Sequence, residues 1–110
     1  MFYSSDAAGL RAFLRDNLGF AATDIGEGWL IFDVPEADMG VHPADVPGKD
    51  SALSGTSHIS FYCDDIEKTV ADLKAKGVEF TADIADQDWG FVTKFKVPGD
   101  FEVMLYQPKY

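Results

Sequence analysis

The chain repeats one structural unit. Asp6 opens a helix-like stretch that closes at Gly19, and Asp64 opens another that closes at Gly77, at an offset of 58 residues. Three strand-like runs follow each stretch, the first set ending near His42 and the second near Tyr106. Duplication of a β-α-β-β-β unit constrains the architecture strongly, because two half-sheets built this way curve about a shared cleft. The reading is an α+β fold of two βαβββ repeats, at about 1–42 and 57–108, joined by a linker over 43–56, with helices outside the sheets. His58 lies on the first strand of the second unit, and the repeat puts its counterpart one position before Met1.

At 110 residues the chain is one domain with enough length for its own core. Hydrophobic residues at 46% and aromatics at 14% exclude disorder. No apolar run approaches the roughly 20 residues of a membrane span, and neither a basic n-region nor an apolar h-region follows Met1, so the expectation is a cytoplasmic protein that engages no membrane. A net charge of −10 repels phosphate backbones and removes nucleic acid from the candidate partners. The lone cysteine, Cys63, forms no internal disulfide, and in an apolar strand beside Asp64 and Asp65 it reads as an inert thiol.

Leu10, Phe13, Leu14 and Leu18 recur at helical spacing, which predicts a helix over about Ala7–Asn17 with Asp6 as N-cap and Gly19 past its end. The second helix opens with Asp64 and Glu67 spaced as a capping box, buries Ile66, Val70 and Leu73, and ends at Gly77. Strands are predicted at Met1–Ser4, Phe20–Asp24, Trp29–Val34, Asp38–His42, Ser57–Cys63, Glu79–Asp83, Phe91–Val97 and Phe101–Gln107. Gly26-Glu27-Gly28 and Pro98-Gly99-Asp100 supply hairpin turns.

Alternation assigns the faces. The apolar sets Ile59, Phe61, Cys63 and Phe101, Val103, Leu105 belong under the helices, which leaves His58, Ser60, Tyr62, Glu102, Met104 and Tyr106 on the concave side. Aromatic rings with sparse polar groups are what a small-molecule pocket needs. Trp89 and Trp29 flank this face and are able to stack on a planar ligand or to cap the core. Lys94 and Lys96 alternate with Phe95 and Val97 and read as solvent-facing, with a cation lining the cup and pairing an acidic ligand as the other possibility.

The repeat, the His58-to-Asp64 strand, Phe13–Phe20 and the Trp89-Gly90, Pro98-Gly99-Asp100 and Leu105-Tyr106-Gln107-Pro108 segments together resemble the vicinal oxygen chelate superfamily of glyoxalase I, bleomycin-resistance proteins and extradiol dioxygenases. The resemblance covers essentially the whole chain. It implies a homodimer, and in metal-dependent members it implies a divalent ion held by a His on the first strand and a carboxylate on the last strand of each unit. Carried over by position, His58 matches one ligand. The others fall before Met1, on Gly40 and on Met104, and neither glycine nor a thioether suits a hard or borderline ion. A shifted trio of His42, His58 and Glu102 would make a two-His-one-carboxylate set.

The first expectation is therefore a binder of a small organic molecule with no cofactor and no metal, its aromatic cup formed by His58, Ser60, Tyr62, Trp89, Glu102, Met104 and Tyr106. The alternatives are a glyoxalase- or dioxygenase-type metalloenzyme with a relocated site and a divalent metal, and an interaction module whose cleft is closed by its own side chains.

Overall fold

A computed structural model describes residues 2–34, 37, 40–41, 43–45 and 52–110. The elements run α1 (Ala7–Asp16), β1 (Ala22–Asp24), β2 (Leu30–Phe32), β3 (Ser60–Tyr62), α2 (Ile66–Ala75), β4 (Ala85–Gln87), β5 (Gly90–Val97) and β6 (Phe101–Pro108). The fold is α+β, with a mixed four-stranded sheet in the order β3-β6-β5-β4 and an antiparallel two-stranded ribbon, β1-β2. Within the larger sheet β3 runs parallel to β6, as a strand-helix crossover through α2 demands, while β4-β5 and β5-β6 are antiparallel. No helix among the described residues is long and apolar enough to cross a membrane.

Both helices cover the same face of that sheet. Leu10 and Leu14 of α1 join Ile66, Val70 and Leu73 of α2 against Phe95, Val97, Val103 and Leu105 in one buried cluster. Phe95 is fully buried and carries Phe13 from the first repeat on one side and Phe61 and Phe80 from the second on others. At their C-terminal ends the helices hold each other reciprocally, the Asn17 side-chain amide donating to the Lys76 carbonyl at 3.1 Å and the Lys76 ammonium to the Asn17 carbonyl at 3.3 Å. Gly19 and Gly77, at equivalent places in the repeats, take φ of 76° and 84°, the left-handed conformation that ends a helix without the Cβ penalty.

Several elements depart from the sequence-based reading. The N-cap of α2 is Asp65, which accepts from the Lys68 N–H at 3.1 Å, and not Asp64, whose carboxylate is taken by the Tyr62 hydroxyl. The caps are thus 59 residues apart and the closing glycines 58, so α1 ends in a turn one residue longer. Phe2–Ser4 form no strand: Ser4 Oγ donates to the Pro98 carbonyl at 2.8 Å and Phe2 packs on Phe101, which pins this segment to the β5-β6 turn. The run at Glu79–Asp83 reduces to a single bridge between Phe80 and Phe95. Its ladder stops because Thr93 Oγ1 takes the Ala82 carbonyl at 2.8 Å, and pairing resumes only at Ala85. Of the run Asp38–His42, Gly40 and Val41 are not in a strand, and positions 38, 39 and 42 lie outside the described residues.

Candidate functional site

Strand register organises the face turned away from the helices. Ser60 pairs with Met104 and Met104 with Lys94, giving one row across β3, β6 and β5; Tyr62, Tyr106 and Val92 form the next row. Side chains in such rows share a face, on strands about 4.7–4.9 Å apart. Val103 and Leu105 go the other way into the core, as alternation predicts.

His58, Ser60, Trp89, Met104 and Tyr106 meet around an open cavity of about 270 Å³, together with Gly40 from the first repeat and Tyr110. Five of the seven residues expected to form the cup are therefore brought together. Trp89 occupies the tight turn between β4 and β5, and its ring meets Tyr106 edge-on with centroids 5.9 Å apart. A Cβ at Gly90, next in the chain, would lie 2.5 Å from the Gln107 carbonyl oxygen, so only glycine lets this turn close onto β6 and hold Trp89 at the cavity edge. The Trp89 carbonyl accepts the Lys109 N–H at 3.0 Å, which fixes the same corner.

Tyr62 and Glu102 stand on the face but outside the cavity wall. Tyr62 touches Tyr106 at 6.2 Å between centroids, and its hydroxyl donates to Asp64, a hydrogen bond that favours the neutral phenol and raises its pKa above the ordinary value. Glu102 accepts from Thr81 Oγ1 at 2.6 Å across β5. Trp29 also lies away from the cavity, its ring under the Arg11 guanidinium at 4.7 Å. Cys63 points into the core, where burial raises its thiol pKa. Tyr110 escaped the sequence reading, although continuing the alternation Tyr106, Pro108, Tyr110 past the end of the strand would have found it.

The donor chemistry of this wall does not suit the divalent ion that metal-dependent relatives use. At the positions where the pattern places ligands stand His58, Gly40 and Met104, and among the described residues no group of three or more His, Cys, Asp or Glu is arranged to hold a metal. In the shifted trio, Glu102 is engaged by Thr81, and His42 lies outside the described residues.

The family model described as Glyoxalase/Bleomycin resistance protein/Dioxygenase superfamily matches residues 1–105, and the chain belongs to this superfamily. The fold is shared with solved structures of low identity. An antibiotic-binding protein, TnmS3, from Streptomyces sp. CB03234 is 21% identical, with 96% of this chain and 89% of that one covered at a TM-score of 0.67. A lactoylglutathione lyase from Agrobacterium tumefaciens is 18% identical, with 96% and 88% covered at 0.66. A glyoxalase/bleomycin resistance protein/dioxygenase from Nocardioides is 20% identical, with 96% and 78% covered at 0.61. No curated protein matches.

Proposed function

We propose that this protein binds a planar organic molecule in the cup formed by His58, Ser60, Trp89, Met104 and Tyr106, without a metal ion, and works as a cytoplasmic homodimer. The observation that carries the reading is the convergence of Trp89 and Tyr106 with one thioether and two small polar groups on a single open cavity. Indole and phenol faces supply stacking area, Met104 adapts to an irregular outline, and His58 and Ser60 offer the few directional hydrogen bonds that fix orientation. One solved neighbour is described as an antibiotic-binding protein, which accords with such a ligand. Pairing of two copies is supported by the ribbon: Ile25, Trp29 and Ile31 leave large apolar surface exposed on an element too small to be stable alone.

The test is fluorescence titration of a Trp29→Phe variant, in which Trp89 is the remaining indole, against planar aromatic compounds. Quenching that saturates at one site per chain supports the cup. Calorimetric titration with zinc, nickel or manganese that showed stoichiometric submicromolar binding would contradict the metal-free reading. Sedimentation equilibrium of the wild type and of Ile31→Asp tests the pairing, with dimer expected for the first and monomer for the second.

A further inference from the structure

We propose that the occupant of the cup carries an anionic group and that Lys94 receives it. This rests on the reading of the cup as a binding site and adds the charge of its ligand. Lys94 stands directly opposite Met104, in the row that begins at Ser60, so its flexible four-carbon stem rises from the sheet beside Met104 at the edge of the cavity, outside the lining residues themselves. None of the side chains lining the cavity is acidic.

The partners of the other cations make Lys94 distinctive. Lys68 lies 3.8 Å from Asp72, Lys96 lies 4.0 Å from Asp100, and Lys109 pairs with Asp86 over the ring of Phe91. Lys74 sits over Phe80 and Lys76 donates to the Asn17 carbonyl. Among the described residues, Lys94 alone of the lysines has no carboxylate, carbonyl or ring engaging its ammonium, in a chain whose net charge is −10. Glu102, the acid in the adjacent row, reaches across β5 to Thr81, whose N–H donates to the Lys94 carbonyl, and makes no ion pair with Lys94. A cation left without its own counter-charge beside an acid-free aromatic wall is a receptor for a sulfonate, carboxylate or phosphate borne on a ring system.

Two dyes with the same ring systems separate charge from stacking: 1-anilinonaphthalene-8-sulfonate and the neutral N-phenyl-1-naphthylamine. In fluorescence titrations, Trp89→Ala is expected to weaken both. Lys94→Gln is expected to weaken the sulfonate roughly three- to tenfold and leave the neutral dye within about twofold, with Lys94→Arg retaining the sulfonate and Lys96→Gln leaving the ratio unchanged. If Trp89→Ala weakens both dyes and Lys94→Gln weakens neither, the assignment of Lys94 is overturned and the cup stands. If Trp89→Ala leaves both dyes unaffected, the cup falls and Lys94 with it.

Discussion

The Trp89 ring meets Tyr106 edge-on at 5.9 Å and 63°, and Tyr106 meets Tyr62 in the same manner at 6.2 Å and 73°. This aromatic chain runs from the β4-β5 turn across β6 to β3, so the cavity wall is built on hydrogen-bonded sheet at its centre and on a tight turn at one end. Such a wall is largely preformed, and a ligand has little ordering to impose on it.

Trp89→Ala should reduce affinity for a planar neutral dye about tenfold while costing the fold little. With 45% of its surface exposed, Trp89 contributes mainly one edge contact to Tyr106, worth about 0.5–1.5 kcal/mol. Dye titration and urea denaturation of the same sample check the two parts. A loss of stability as large as that of a core deletion would mean that the indole caps the core instead of serving the cavity.

Tyr62 provides a pH signature. Its phenol donates to Asp64, and that hydrogen bond, ahead of charge repulsion from the same carboxylate, raises its pKa. Because the raised value belongs to the folded state, the contribution is fully present below the unfolded tyrosine value of about 10 and is lost as pH climbs through the folded value. Spectrophotometric titration of phenolate should show a late-ionising component that Asp64→Ala returns toward the ordinary range.

The two adjacent aspartates at the start of α2 divide the work between them. Asp65 caps the helix through the Lys68 N–H and Asp64 holds Tyr62. Asp65→Ala should therefore cost about 0.5–2 kcal/mol, the range of a lost N-cap, and Asp64→Ala clearly less. Urea midpoints of the two variants, compared at neutral pH, give the answer.

These particulars mark where the sequence was readable. Periodicity located both helices and the core, since Leu10, Leu14, Ile66, Val70 and Leu73 have no burial other than the sheet. Strand alternation put Ser60, Met104 and Tyr106 on one face because the period of two leaves no choice once Val103 and Leu105 are buried. For Glu102 and Tyr62 it gave the face alone: their polar ends are held by Thr81 and Asp64, and neither residue lines the cavity. Alternation reports the side of the sheet, not the lateral partner. The sequence misled at Glu79–Asp83, where one hydroxyl, that of Thr93, captures the Ala82 carbonyl, and at Asp64 and Asp65, where two equally good caps stand side by side.

Phe95 joins the two repeats energetically. It is 0% exposed and its ring lies 6.2 Å from Phe13 of the first unit and 6.4 and 5.6 Å from Phe61 and Phe80 of the second. Phe95→Ala should lower stability by about 3–5 kcal/mol, the transfer and cavity cost of a buried ring. A more specific consequence follows from the position of α1, whose buried leucines share a core with the second unit's sheet, no separate buried cluster being formed by the first unit among the described residues. The units should then unfold together. In urea, a Trp89→Phe variant that reports through Trp29 and a Trp29→Phe variant that reports through Trp89 should each agree with its own far-ultraviolet circular dichroism transition, because a shared core makes one cooperative unit. A ribbon signal from Trp29 that disappears well before the secondary structure would show the first unit opening on its own and would break the link through Phe95.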